Sequence, residues 1–146
     1  MELLLIVRYL HYVGIFLVVS SLFFEAVFVT KEMSAKELKL LTKIDGLYGL
    51  GAILTTGMGV WMWLGDLGKP SDFYGDNWIF VLKFSLFIVV GLLSIYPTIF
   101  FITNAKLKET VQVPAIIKKF IYIELAIVFF MPWLAGLMAR GISQIF

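Results

Sequence analysis

The sequence predicts an all-α polytopic membrane protein, a bundle of four transmembrane helices. Of its 146 residues, 61% are hydrophobic and only 15% are charged, whereas soluble domains are about 45–50% apolar and about 25% charged. The excess lies in four apolar runs, at residues 3–29, 46–64, 84–103 and 120–139. Each run approaches or exceeds the ~20 residues that cross a bilayer. A soluble bundle would need a polar stripe along each helix, and none of the runs has one.

We predict a single domain that covers residues 1–146. Its four transmembrane helices have approximate bounds of 3–29, 44–64, 79–103 and 115–140. The first helix is not typical of a signal peptide, because no basic segment precedes it and its apolar run is too long. It is therefore taken as the first membrane span.

Small residues and prolines mark the later helices. In the second helix, Gly51, Thr55 and Gly59 recur every four residues, a spacing that lets another helix approach closely. That other helix belongs either to the same bundle or to a second copy of the chain. Pro97 in the third helix and Pro132 in the fourth each remove a backbone hydrogen bond and tend to kink the helix.

The lysines are distributed unevenly among the three connections. Eight lie in the first and third connections: Lys31, Lys36, Lys39, Lys43, Lys106, Lys108, Lys118 and Lys119. The second connection, residues 65–77, contains one lysine and three aspartates. Because cytoplasmic loops carry an excess of Lys and Arg, we expect the first and third connections inside and both termini outside. The predicted location is a bacterial inner membrane, with Arg8 and Arg140 as exceptions on the outer side.

Composition excludes several kinds of function. The chain contains no cysteine, which excludes disulfides, cysteine-ligated metals and thiol catalysis. It has a net charge of +2 and no Lys/Arg-rich tract, so nucleic acid is not an expected partner. The lipid bilayer is the partner that the composition predicts.

Ionisable side chains interrupt every apolar helix. The first helix carries Arg8, His11 and Glu25, whose separations of three and fourteen residues keep them on one face. The later helices carry, in order, Asp45 with Tyr48, then Lys83, then Glu124. A charge in the hydrocarbon costs roughly 2.5 kcal/mol or more, so such residues usually face a bundle interior and mark a functional path.

The predicted orientation sorts these residues into two layers. The outer layer is cationic and holds the only histidine: Arg8, His11, Lys83 and Arg140. The inner layer is anionic: Glu25, Asp45 and Glu124. An apolar middle separates them and includes Val18, Thr56, Val90 and Met131. At ~1.5 Å of rise per residue, His11 and Glu124 lie at different depths and are not expected to touch.

Each of these residues also has a purely structural explanation. Lys83 could extend its ammonium group to the headgroup region. Glu25 and Asp45 could be solvated helix ends, and His11 could form a hydrogen bond within the core. Glu124 is the hardest to explain in this way, because apolar residues lie on both sides of it.

These residues give the chain a resemblance to a bacterial family of small four-helix membrane proteins of unknown function. The resemblance is carried by His11, Glu25, Asp45, Tyr48-Gly49, Phe73-Tyr74, Lys83, Gly91-Leu92-Leu93-Ser94-Ile95-Tyr96-Pro97-Thr98, Glu124 and Met138-Ala139-Arg140-Gly141. It extends over nearly the whole chain. It implies four transmembrane helices but no particular activity.

A looser resemblance connects the chain to HemJ-type protoporphyrinogen oxidases and the related copper-resistance membrane proteins. HemJ-type proteins have a histidine in the first helix and a lysine in the third, and they bind haem b. His11 and Lys83 occupy the corresponding positions here. The chain lacks a HemJ-like ending, so the resemblance implies haem b and not a substrate or a reaction.

The first functional hypothesis is therefore a haem-binding or redox membrane protein, which as an enzyme would be an oxidoreductase. His11 is the candidate ligand to the haem iron, since haem commonly takes a histidine. The candidate cofactor-binding residues are His11, Arg8, Lys83, Arg140, Tyr48 and Asp45, the basic ones as partners of the porphyrin propionates. The candidate catalytic residues, as groups that transfer protons, are Glu124, Glu25 and Lys83.

Two alternatives remain beside the haem hypothesis. Buried acid and base groups are also what a proton-coupled transporter of a small molecule or ion needs. Such a protein would bind a small anionic or amphipathic ligand and require a homo-oligomer. A structural or assembly protein is the third hypothesis, because buried polar residues can specify helix packing. Three carboxylates near the inner side could also hold a hard cation.

Overall fold

The computed structural model describes residues 1–142. The predicted domain extends to residue 146, so its last four residues lie outside the described residues. The helices are α1 (Glu2–Phe28), α2 (Ala35–Leu64), α3 (Ser71–Gly75), α4 (Trp78–Asn104) and α5 (Ala115–Ala139); two short strands are β1 (Glu32–Met33) and β2 (Val111–Gln112). Helices α1, α2, α4 and α5 are each long and apolar enough to cross a membrane. The predicted all-α bundle of four long apolar helices is confirmed.

The start of α2 differs from the prediction. The helix begins at Ala35 and not near residue 44, so most of the predicted first connection is helical. Ser34 and Glu37 form a capping box: the Ser34 hydroxyl accepts from the Glu37 amide, and the Glu37 carboxylate accepts from the Ser34 amide at 2.7 Å. These bonds satisfy amides that the first helical turn leaves unpaired. A polar segment can therefore begin a helix that becomes apolar only later.

A two-stranded sheet ties the first and third connections together. β1 pairs antiparallel with β2, with Glu32 opposite Gln112 and Met33 opposite Val111. Next to it, the Lys118 ammonium donates to the backbone oxygen of Val29 at 2.8 Å. The sheet holds the ends of α1 and α4 beside the starts of α2 and α5. The end of the bundle at which this sheet lies is called the sheet end.

Helices α1 and α2 touch backbone to backbone. A Cβ atom placed on Gly14 would lie 2.8 Å from the Gly51 oxygen and 2.7 Å from the Thr55 nitrogen. Such distances are too short for any side chain. The close approach predicted for Gly51 and Thr55 is confirmed, and Gly14 of α1 is its partner. Gly59 continues the contact, since a Cβ there would lie 3.2 Å from the His11 ring.

The centre of the bundle is apolar. Val18, Leu22 and Val90 are almost completely buried, which agrees with the predicted apolar middle. Two other residues predicted in that layer do not contribute to the core, because Thr56 is exposed and Met131 is only half-buried. Their helices turn these side chains outward, away from the core.

The prolines and the connection between α2 and α4 complete the fold. Pro97 lies inside α4 and Pro132 inside α5, as predicted. The connection contains the short helix α3, which sequence reasoning took for a loop. Asn77 then begins α4, its side-chain oxygen accepting from the amides of Ile79 and Phe80 at 3.1 Å.

Candidate functional site

All four long helices contribute polar side chains to one buried region near the sheet end. Its members, named the acidic cluster here, are Glu25 of α1, Asp45 and Tyr48 of α2, Thr98 of α4 and Glu124 of α5. The three carboxyl residues are 2%, 7% and 1% exposed, in chain order. Carboxyl groups are rarely buried so completely unless they are paired or functional. The cluster is therefore the first candidate for a functional site.

Tyr48 and Glu124 join α2 to α5. The Tyr48 hydroxyl donates to Glu124 Oε2 at 3.2 Å, and both residues are buried. A phenol can donate to one group and accept from another at the same time. Tyr48 can therefore pass a proton to or from Glu124.

Asp45 and Thr98 join α2 to α4. The Thr98 hydroxyl donates to Asp45 Oδ1 at 2.9 Å. Thr98 lies one residue after Pro97, in the segment of α4 that most specifically carries the family resemblance. The second carboxyl oxygen of Asp45 remains for another partner.

Glu25 is the least satisfied member of the cluster. Its Oε1 is fully buried and has no hydrogen-bond partner among the described residues. Its carboxyl interacts electrostatically with Asp45 and Glu124. Because an unpaired buried polar atom costs about 1–3 kcal/mol, this arrangement favours occupation by a proton, a water molecule or a ligand group.

The cluster is not a metal cage. Among residues 1–142 there is no group of three or more His, Cys, Asp or Glu side chains that could hold a metal ion. The hard-cation site considered for the three carboxylates is therefore not formed. The carboxyls lie close enough to interact through space but do not converge on one point.

A groove between α2 and α4 reaches the cluster. It has a volume of about 480 Å³ and is lined by Thr42, Asp45, Gly46, Tyr48, Gly49 and Ala52 on α2, and by Phe87, Gly91, Ser94, Ile95, Thr98, Ile99 and Ile102 on α4. Pockets of about 300–1,000 Å³ typically hold small molecules. Gly46, Gly49 and Gly91 have open space where a side chain would stand. The missing side chains at these positions help to form the groove.

Tyr48 connects the groove to the deeper carboxyls. Its side chain lines the groove, and its hydroxyl donates to Glu124, which does not line it. Ser94 lies on the opposite wall of the groove, and its hydroxyl donates to the Gly91 oxygen at 2.7 Å. A molecule in the groove would thus be one hydroxyl group away from Glu124.

His11 lies in a different environment. Its Nδ1 is 2.7 Å from the Thr55 backbone oxygen. Since a carbonyl oxygen only accepts, Nδ1 carries the proton and Nε2 is the nitrogen with a free lone pair. The half-buried Lys83 is the charged group that acts on His11.

Residues 4–143 match the family model described as predicted membrane protein DUF2214. The chain belongs to this family. The match covers nearly the whole chain and agrees with the family resemblance expected from the sequence. Among curated proteins and among solved structures, the searches found no match.

In this DUF2214 protein the residues predicted to bind one cofactor are divided between the two halves of the bundle. His11 and Lys83 interact electrostatically in the half away from the sheet end, and Arg8 and Arg140 are exposed in that same half. The remaining two, Asp45 and Tyr48, belong to the acidic cluster. The predicted catalytic residues are divided likewise: Glu25 and Glu124 belong to the cluster, whereas Lys83 lies in the half of the bundle that holds His11.

Sequence reasoning missed the residues that form the groove. Gly46, Gly49, Gly91 and Ser94 were not proposed as site residues, although Gly49, Gly91 and Ser94 lie in segments that carry the family resemblance. A glycine facing a neighbouring helix either permits close contact or leaves a space. The spacing of these glycines along the chain does not distinguish the two outcomes.

Proposed function

We propose that the protein is a proton-coupled membrane transporter for a small amphipathic molecule, with the acidic cluster as the group that carries protons. The observation that supports this proposal most strongly is that three helices place Glu25, Asp45 and Glu124 in one buried region, where their carboxyl groups interact electrostatically. Ionisable residues within membrane spans mark proton relays and substrate paths. The groove at Asp45 and Tyr48 supplies a place for the transported molecule.

The relay would run through Tyr48. Its hydroxyl already donates to Glu124, and it faces the groove. A proton can leave Glu124 through Tyr48 when the Tyr48 hydroxyl rotates, accepts the proton of the protonated carboxyl and gives its own proton to a base in the groove. Glu25, whose Oε1 has no partner among the described residues, can exchange a proton with Glu124 through a water molecule or a small side-chain movement.

We also infer an orientation in a bacterial inner membrane. The lysine-rich connections lie at the sheet end of the bundle, which the positive-inside rule assigns to the cytoplasm. The acidic cluster would then lie in the cytoplasmic half of the membrane, with the amino terminus and the α2–α4 connection outside. A transporter of four helices would work as a homo-oligomer or by moving its helices against each other.

The experiment is a proton-flux assay with purified protein in liposomes that contain a pH-sensitive dye. Cationic, anionic and neutral amphipathic molecules of similar size are added outside, and the membrane potential is clamped with potassium and valinomycin. We expect at least one class to change the internal pH faster than in protein-free liposomes, and the change to be lost in Glu124→Gln. No protein-dependent flux with any class would refute transport and leave haem binding and the structural hypothesis.

Haem binding remains a second candidate, because His11 is arranged as haem-ligating histidines often are. The bond from Nδ1 to the Thr55 oxygen fixes the ring and leaves Nε2 for a ligand. His11 would hold the iron, and Lys83 would pair with a propionate; bound haem b would supply one-electron redox chemistry. We expect a Soret band after haem-replete expression that is lost in His11→Ala, and its absence in the wild type would exclude this candidate.

A further inference from the structure

We infer that the groove between α2 and α4 binds an amphipathic organic cation, with its ammonium group at Asp45 and its apolar part between the helices. The inference rests on the proposed function and names the class of molecule that is transported. It also concerns binding, which can be measured without transport.

The charge of the groove favours a cation. Asp45 is the only charged residue among the described residues that line it. Its Oδ1 accepts from Thr98, which leaves Oδ2 for an ammonium group. A charge-assisted bond between an ammonium group and a carboxylate is stronger than a neutral hydrogen bond.

Glu25 provides a second, independent observation. It is 98% buried, and its Oε1 has no partner in the described part of the chain. Glu25 does not line the groove, but its carboxyl interacts electrostatically with Asp45, which does. At Asp45 itself an anionic group would be repelled, whereas a cation would be attracted.

The rest of the groove is apolar. Phe87, Ile95 and Ile99 form much of the α4 wall, and Ala52 lies on the α2 wall. An alkyl or aromatic group would bury apolar surface against these side chains. Among residues 1–142, the polar end holds only Asp45 and the hydroxyl groups of neighbouring residues. A molecule with one cationic group and one apolar body is therefore complementary to the groove.

The experiment is photolabelling of the full chain in nanodiscs of zwitterionic lipid. The probe is a primary alkylamine that carries a diazirine in its chain, and chain-matched probes with a carboxylate or an alcohol in place of the amine are the controls. Labelled residues are identified by mass spectrometry, with octylammonium as a competitor. We expect the amine alone to label the groove residues of α2 and α4, and octylammonium to prevent it.

Two kinds of variant test the geometry. Asp45→Asn should lower labelling by at least about tenfold, because it removes the charge of the bond. Gly91→Leu should also lower it by filling the groove, since a Cβ at Gly91 has open space around it. Gly57→Leu is the matched control, because Gly57 is an equally open helical glycine that does not line the groove. If Asp45→Asn does not fold, comparing Gly91→Leu with Gly57→Leu still tests whether the amine binds in the groove.

Equal labelling by all three probes would overturn the inference, because it would indicate a lipid chain or nonspecific contact. Equal labelling of Gly91→Leu and Gly57→Leu would overturn it as well. The proposed function fails separately: amine labelling without any proton flux would remove transport but keep the site. Proton flux driven by an anion, without amine labelling, would keep transport and remove the cation site.

Discussion

The hydroxyl of Tyr48 lies 3.2 Å from Glu124 Oε2, and this contact joins α2 to α5 within the buried interior. Tyr48 also lines the groove, so one side chain touches both the ligand-sized space and a buried carboxyl. This relationship is the basis of the proposed proton relay.

Replacing Tyr48 with phenylalanine should separate the groove from Glu124. Tyr48→Phe removes the donor to a buried carboxyl, so we expect a loss of stability of roughly 1–3 kcal/mol and a slower proton flux. Thermal unfolding in detergent and the liposome assay measure the two effects. Tyr122→Phe is the control, since the Tyr122 hydroxyl makes a longer bond of 3.4 Å from an exposed side chain. Equal effects of the two changes would contradict a special role for Tyr48.

The contact between α1 and α2 should not tolerate a methyl group. In Gly14→Ala the new Cβ would lie 2.7 Å from a backbone nitrogen of α2, and we expect the overpacking to destabilise the bundle by about 1–3 kcal/mol. In Gly136→Ala the Cβ meets nothing within 4 Å, and helix propensity should leave stability unchanged or raise it by up to about 1 kcal/mol. Measurements of the free energy of unfolding should therefore show a loss of stability in Gly14→Ala and no loss in Gly136→Ala. A harmless Gly14→Ala would refute the close packing.

The orientation can be tested with single cysteines, because the chain contains none. Asp72→Cys lies in the exposed connection between α2 and α4, and Lys108→Cys lies in the exposed connection between α4 and α5. In intact cells a membrane-impermeant maleimide should label Asp72→Cys at once and Lys108→Cys only after permeabilisation. The reverse order would place the acidic cluster in the outer half of the membrane.

The capping box should hold the first turn of α2. Ser34→Ala removes the hydroxyl that accepts from Glu37, and the loss of such a cap costs about 1 kcal/mol. Amide hydrogen exchange at residues 35–38 should become faster, while exchange in the rest of α2 stays slow. Ser20→Ala, which removes a hydroxyl bonded within its own helix, should not change exchange in α2. Unchanged exchange in Ser34→Ala would mean that the sheet alone holds this turn.

The four long helices could be predicted because membrane spans need only length and apolar composition. The start of α2 was predicted too late for a related reason: hydropathy follows the apolar part of a helix and ignores its polar beginning. The sequence Ser34-Ala35-Lys36-Glu37 does contain the spacing of a capping box. The first turns of α2 were therefore predictable from the capping-box spacing, although not from hydropathy.

The candidate site was only partly predictable. Glu25, Asp45 and Glu124 could be singled out because each is an ionisable residue in an apolar helix. Their pairing could not, since Tyr48 and Glu124 are 76 residues apart and one sequence does not determine which helices are neighbours. The groove depends on the absence of side chains at Gly46 and Gly91, which becomes meaningful only when α2 and α4 are placed together.

The most direct test of proton-coupled transport compares two modes in liposomes, accumulation driven by a pH gradient and exchange of labelled for unlabelled solute at equal pH. The solute is one that gives proton flux with the wild type. We predict that Glu124→Gln abolishes accumulation but retains exchange, because the groove remains while the proton carrier is lost. Accumulation at the wild-type rate in Glu124→Gln would contradict the role of the acidic cluster.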